Sequence, residues 1–483
     1  MPEALLSFVD ALRSHALSRQ DADSAAKAAW ACGRLLWSNQ VGVYRDDVLE
    51  PALLSRWESA WPLSDKLPPC GGRILHVIST PYAAGGHTRL LEKLAAMSPE
   101  HSDVLVTRPF GHDGKVLRVP SSTRVICSEQ GYGVVALAEM ILGYGKVLLH
   151  IHPDDIDTSL AVGLARSRRP IRVIFVNHAD HAFSFGFHSS DVVAEVSVFG
   201  FQLSAEKRRV SSSFLGIPVP SGANYEVCQP RAGALHLVSA GSSLKFRPAE
   251  DLSFPVLAMA LLERFPDARM TIVGPNLRNN WWWYLPQLRY PRRLRLYPVL
   301  PYAEYLAVVR AASLYLDSLP MTGGTVLPEV RAQGIPVSGL MTGATGYTPL
   351  DATKYPDLSA LLDGVAGLMV TGGGDLLARN NDAALLAASV SNHDGNAVWQ
   401  RLMDILESGK LFAPIAAIGK VDTGFYERQW RQHGVAKIDR EVIAYVLALP
   451  SEERAPLMMK MWRAMGWRQR CRLLFRRLAA ALR

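Results

Sequence analysis

Residues 315–339 read YLDSLPMTGGTVLPEVRAQGIPVSG and carry the densest chemistry in the chain. An apolar run ends in Asp317-Ser318, a Thr322-Gly323-Gly324-Thr325 turn follows, and a helix-like stretch then places Glu329 one turn past Thr325. Glycines let the backbone approach a ligand closely, and the first N–H groups of a helix, with its dipole, favour an anion. A diphosphate suits that mouth, with Glu329 placed to accept hydrogen bonds from ribose hydroxyls. A capped and buried helix start would use the same Thr and Gly residues.

Three further loops carry candidate groups. In "SAGSSLKFRP", Ser242 and Lys245 follow a strand-like run, and the lysine is a mobile point charge for phosphate, with Arg247 behind it. In "STPYAAGGHTRLL", Gly85-Gly86 opens another helix-like stretch without matching GxGxxG or GxxxxGK[ST]. His150 and His152 close one apolar run, and "NHADHAF" closes the next, putting His178, Asp180 and His181 on the same rim. A zinc site would need a second well-spaced ligand pair, which the sequence lacks. A general base or a hydrogen bond to a sugar hydroxyl fits these histidines better.

The elements that position these loops alternate. Residues 1–70 show helical spacing and end in Pro62, Pro68, Pro69 and Gly71-Gly72. Strand-like runs at 73–80, 103–109, 123–128, 146–152, 171–178 and 193–200 follow, with helical patterns such as 134–142 and 158–167 between them. The pattern restarts with strands at 233–241, 269–275, 293–301, 313–318 and 334–340. Continuously apolar strands alternating with helices predict parallel sheets covered on both faces, whose ligands sit beyond the carboxyl ends. The expected organisation is a helical extension (1–70), two Rossmann-like α/β domains (71–230 and 231–405) facing a cleft, and a helical tail (406–483).

Composition is that of an ordinary folded soluble protein: 483 residues, 49% hydrophobic and 20% charged, with no apolar run long enough for a bilayer span. Five cysteines without close spacing, and an N-terminus without a basic signal region, point to a reducing cytosol. The net charge of +8 is matched by eight basic residues and no acid between Lys460 and Arg483. That tail mixes Met, Trp, Leu and Phe with arginines, as an interfacial helix or a helix packed on the first domain would. It lacks interleaved base-stacking loops, so no nucleic acid is expected as a partner. "NNWWWYLPQLRY" (279–290) offers aromatic faces to a sugar or a protein partner, with at least two of its three tryptophans expected in a buried helix.

Taken together, these loops resemble glycosyltransferases of the two-Rossmann B fold over about 71–375. "GGHTRLLEKLA" and "VLLHIH…PIRVIFVNHAD" resemble the large retaining family 4, in which the histidine matching His178 faces the donor sugar. "SAGSSLKFRP" and the 315–339 stretch resemble protein N-glucosyltransferases and O-GlcNAc transferases. There the turn matching Thr322–Thr325 holds the donor diphosphate and the lysine matching Lys245 neutralises it. Family 4 has two glutamates eight positions apart; Glu329 matches the second, but Met321 stands at the first, which favours the inverting, metal-free relatives. The resemblance implies sugar transfer from a nucleotide diphosphate donor, UDP-sugar favoured, to a protein, glycan or lipid-linked acceptor, with no metal or other cofactor. His178, His181 and His152 are the catalytic candidates, and 460–483 is a candidate peripheral membrane contact at the inner face. The alternative is a nucleotide-sugar-binding pseudoenzyme or interaction protein.

Overall fold

The structure, a computed structural model, describes residues 2–61, 67–82, 86–110, 117–220, 225–229, 233–249, 251–324, 326–370, 373–416, 418–433, 436–467, 469–471 and 473. Two parallel sheets organise it. The first has seven strands, β1 (Gly71–Ile78), β2 (Ser102–Val106), β3 (Arg124–Ile126), β4 (Tyr144–His150), β5 (Arg172–Asn177), β6 (Val192–Glu195) and β7 (Ser212–Phe214), in the order β3-β2-β1-β4-β5-β6-β7. The second has five, β8 (His236–Ala240), β9 (Arg269–Val273), β10 (Leu294–Tyr297), β11 (Leu314–Leu316) and β12 (Val337–Ser338), in the order β10-β9-β8-β11-β12. Both orders reverse beside their first strand, so each sheet has a switch-point crevice, next to β1 and β4 in one and β8 and β11 in the other.

Helices cover both faces, as the near-continuous burial of β2, β5 and β6 requires. On one face of the first sheet lie the helices Pro2–Ser18, Ala22–Ser38 and Leu49–Ala60 together with Arg440–Ala448 and Ser451–Ala464. Ala22–Ser38 starts where the Asp21 carboxylate accepts the Ser24 N–H (2.8 Å), and it packs through alanines, Cys32 and Gly33. A Cβ on Gly33 would stand 2.3 Å from the Phe185 ring, so that helix approaches as closely as its small residues allow. On the opposite face, Val398, Leu402 and Ile405 of the helix Gly395–Ser408 pack against Ile74, Leu148 and Ile174. The chain thus returns to the first lobe after completing the second.

The tail resolves toward packing over its described part. Leu457, Met461, Ala464 and Met465 are buried, and Met458 and Trp462 pack on the same core. Residues 474–483 lie outside the described residues. Two expected strands shorten. The run 193–200 divides because Ser197 accepts the Gly200 N–H (2.9 Å) and caps the helix Val198–Leu203, and the run 334–340 keeps only Val337–Ser338 after the left-handed Gly334. β7 goes unrecognised in the sequence, its three residues being too short for a periodic signal. Among the described residues, no helix is long and apolar enough to cross a membrane.

Candidate active site

The 315–339 stretch forms a buried polar knot. Asp317, just past β11, accepts through Oδ1 the N–H groups of Ser318 (2.8 Å) and Gly323 (2.7 Å). Its Oδ2 lies 2.7 Å from the Lys354 ammonium, which also meets Asp351 Oδ1 at 2.6 Å. Asp351 Oδ2 in turn accepts from Gly346 and Tyr347 (2.9 Å each). Burial works against the Lys354 charge, but Asp317 and Asp351 outweigh it and its pKa is raised. The glycines serve close approach: a Cβ on Gly323 would be 2.8 Å from Asp317 Oδ1, and one on Gly324 would be 2.8 Å from the Tyr347 ring.

The turn, expected to open toward a diphosphate, is closed in this structure. Thr322, Gly323 and Gly324 are buried, and the Gly323 N–H is engaged by Asp317 instead of facing an open mouth. Asp317 likewise has both oxygens committed to the knot. Thr325 lies outside the described residues, as does Gly85. Glu329 also stands elsewhere than on a free rim: its carboxylate pairs with Lys93, whose ammonium also donates to the Pro218 carbonyl (2.8 Å). Lys93 belongs to the helix Gly86–Ala96 that leaves β1, so this ion pair joins the lobes. Arg89 of the same helix lies over the Tyr302 ring at 4.6 Å, a second contact across the cleft.

Lys245 lies in the loop that leaves the second lobe's first strand. It follows β8, is partly buried, and donates to the Thr322 carbonyl (2.7 Å), with no carboxylate in ion-pairing distance among the described residues. Burial lowers its pKa, opposed by Asp317 and by Asp180 of the first lobe. Ser242 is exposed in the same loop, where its carbonyl accepts the Lys245 N–H (2.9 Å), and Gly86 is exposed at its helix start.

The facing rim holds the histidines. His178 sits past β5 with a buried Nδ1 that has no hydrogen-bond partner among the described residues. Its ring lies 4.5 Å from that of His87, which follows the Gly85-Gly86 pair and was not among the expected site residues. His150 Nε2 meets His76 Nδ1 at 3.2 Å in the sheet interior. Burial pushes His76 and His87 down to about 4 and drives His150 and His178 well below the ordinary value, with the neighbouring imidazoles adding to the effect in the last two. These four rings are neutral at pH 7.

His152 and His181 each have a carboxylate instead. His152 Nδ1 lies 2.6 Å from Asp154, which Arg108 and Arg34 also hold, and its ring stands edge-on to Trp37 at 4.4 Å. The His152 N–H donates to Ser79 Oγ (2.7 Å), and Ser79 donates to Asp155. Asp155 also accepts from Thr107 Oγ1 (3.1 Å) and caps the helix Ile156–Arg166, locking the ends of β1, β2 and β4 together. His181 Nδ1 lies 3.3 Å from Asp180 Oδ1, with its ring 5.0 Å from Tyr426. Tyr426, Phe425 and Val421 fill the junction between Phe199 and Leu203 of the first lobe and Ala344 and Tyr347 of the second. Nothing in the sequence marks Tyr426, because it lies about a hundred residues past the turn it backs. Among the described residues, no group of three His, Cys, Asp or Glu side chains is placed to hold a metal ion.

Two parallel sheets meet at their carboxyl ends, the lysine loop and glycine turn of one opposite the histidine rim of the other. That is the architecture of the GT-B glycosyltransferases. Solved structures agree. HepE from Anabaena in complex with UDP and glucose superimposes with a TM-score of 0.52 at 12% identity, covering 70% of this chain and 100% of that one. The same protein in complex with UDP-glucose gives 0.52 at 14%, over 70% and 99%. A glycosyltransferase from Rickettsia africae gives 0.51 at 12%, over 70% and 98%. No family model and no curated protein matches the sequence.

Proposed function

We propose that the protein transfers a sugar from a nucleotide diphosphate donor, UDP-sugar favoured, to a hydroxyl-bearing acceptor on a protein, a glycan or a lipid-linked sugar. The observation that carries this is Lys245: a partly buried ammonium at the carboxyl end of β8, held by one carbonyl and free of any carboxylate partner among the described residues. A cation so placed can move onto a leaving diphosphate, and losing one preorganised donor of this kind typically costs about 10²–10³ in rate. The histidine rim opposite would contact the sugar and accept the acceptor proton. The UDP and UDP-glucose held by HepE lend support to the choice of nucleotide.

Metal independence belongs to this reading and is tested by turnover in a chelator. The described part of the basic stretch 460–483 includes an exposed Trp467 and could supply peripheral membrane contact at the inner face. The engaged Gly323 N–H and the Lys93–Glu329 pair favour the second reading, a nucleotide-sugar-binding protein without turnover. Release of UDP from UDP-sugars, followed with and without Lys245→Ala, separates the two. Turnover that falls by about 10²–10³ in the variant, with folding intact, supports catalysis. Binding without any release of UDP supports the second reading, and equal rates in both proteins remove Lys245 from the site.

A further inference from the structure

The second lobe carries an exposed amphipathic surface beside its edge strand β10. The continuous helical segment 281–289 buries Trp283 completely, while Trp281 (71% exposed), Tyr284 (54%), Leu285 (61%) and Leu288 (79%) share its outer face at spacings of three and four. Four large apolar side chains so exposed on one helical stripe are more than scattered surface residues.

The stripe runs into a basic groove. Tyr290, buried, packs its ring against Arg289 (5.6 Å) and Arg293 (4.9 Å), and Gln287 donates to the Leu294 carbonyl (3.2 Å), fixing the helix to edge strand β10. Beside it a cavity of about 400 Å³ opens at the amino-terminal ends of β8, β9 and β10, lined by His236, Arg269, Arg292, Arg293 and Arg295. From Glu263 to Arg295 the chain has seven arginines and two acids. One of those acids, Glu263, pairs with Arg289 (3.0 Å), while Arg269, Arg292 and Arg295 have no carboxylate in ion-pairing distance among the described residues. His236 bears the mark of that field: burial lowers its pKa first, then Arg269 and Arg295.

Trp and Tyr beside Leu, flanked by unpaired arginines, are the composition of a surface seated at the headgroup level of an anionic bilayer. A protein partner would have to be acidic and apolar in the same alternation, whereas an anionic bilayer offers phosphate and hydrocarbon together at any point. We propose that this face of the second lobe docks on an anionic membrane, with Trp281, Tyr284, Leu285 and Leu288 entering the interface and Arg269, Arg292 and Arg295 binding lipid phosphates. The arginines line the amino-terminal end of the sheet, opposite the cleft, and no step of the glycosyl-transfer reading uses them or the exposed stripe.

The test is flotation of the full chain with vesicles of phosphatidylcholine alone and of phosphatidylcholine with about one third phosphatidylglycerol. The chain is expected to float with the anionic vesicles and to remain behind with the neutral ones. The R269A/R292A/R295A variant should lose about 100-fold in partitioning, and W281A/L285A/L288A at least tenfold. Both variants change exposed side chains, and unchanged circular dichroism checks their folds. Trp281→Phe supplies a measurement without truncation: quenching of tryptophan fluorescence by brominated lipid should fall relative to the unsubstituted chain. The inference is overturned by equal flotation with both lipids, by no flotation at all, or by unchanged partitioning in either triple variant. It is also overturned if deletion of 466–483 abolishes flotation that both triple variants retain, because the tail would then be the membrane contact.

Discussion

Replacing Lys354 by methionine tests whether the Asp317–Lys354–Asp351 knot holds the donor-side turn in place. The three side chains are at most 2% exposed, with contacts of 2.7 and 2.6 Å. Each carboxylate also anchors two backbone N–H groups: Asp317 those of Ser318 and Gly323, Asp351 those of Gly346 and Tyr347. Without the ammonium, two buried carboxylates face each other with no cation in contact, and removing one partner of a buried ionic group costs about 3–5 kcal/mol. At about 1.4 kcal/mol per tenfold, that is about 10²–10⁴ in the opening equilibrium of the local structure. Hydrogen exchange of peptides spanning 317–324 and 342–351 reads this locally, where a global melt would average over two lobes. Protection of both peptides should fall by that factor. The neutral variant D317N/K354M/D351N, which keeps an oxygen for each amide, should recover to within about 1–2 kcal/mol of the original. Unchanged protection in Lys354→Met, or a neutral variant no better than the single substitution, would refute the reasoning.

Three further outcomes follow from named contacts. His76 is fully buried with its pKa lowered from 6.5 to about 4, so the unfolded chain takes up its proton first as pH falls. Stability should therefore drop by about 3 kcal/mol between pH 6.5 and 4 on this group's account and level off below, and equilibrium denaturation of His76→Asn across that range should show a shallower slope. Gly346 has φ +93°, and a Cβ there would stand 2.1 Å from Val421 Cγ1. Gly346→Ala should cost about 1–3 kcal/mol and loosen the lobe junction, seen as faster proteolysis near 415–425. His181→Ala should lower kcat by about 10²–10⁴ if that ring takes the acceptor proton, while His178→Ala should act mainly on the donor KM; steady-state kinetics showing the reverse would exchange the two roles.

The sheets were legible in the sequence because their inner strands are buried on both faces and read as apolar runs. Between their polar ends, "VIFV" (173–176) and "VLV" (104–106) have no polar position to confuse the period. β7 and the division at Ser197 were not legible, because three residues carry no period and a single capping serine changes the element type. The site divides along the same line. Lys245 and the histidines could be named because each lies at or just past the carboxyl end of a strand, where a parallel sheet presents its ligands. The true environment of the turn could not: Gly323 looks identical in sequence whether its N–H faces phosphate or Asp317. What decides is Lys354, thirty-seven positions beyond Asp317, which turns the aspartate inward. Glu329 misleads for the same reason, since its partner Lys93 lies in the other lobe.

The three catalytic candidates also divide, by what stands behind each ring. A general base works best when its conjugate acid has a pKa near the working pH, and His178 is far from that, pushed well below by burial and by His87, His152 and His150. Its unpartnered Nδ1 suits a hydrogen bond to a sugar hydroxyl, for which a neutral ring is an advantage. His152 has Asp154 at 2.6 Å, but Arg34 and Arg108 share that carboxylate and dilute the charge it can lend to an imidazolium. His181 has Asp180 at 3.3 Å, and Asp180 is held on its other oxygen by Ser197 and lies within reach of the Lys245 charge. That is a ring oriented by an anchored carboxylate, the arrangement that lets an imidazole take a proton and keep its position. It is also the histidine beside Tyr426, on the junction where the lobes meet. If His181 takes the acceptor proton and Lys245 meets the leaving diphosphate, as proposed, the two are coupled through one aspartate, so Asp180→Asn should disturb both rims at once, whereas substitutions at His152 should disturb only the acceptor side.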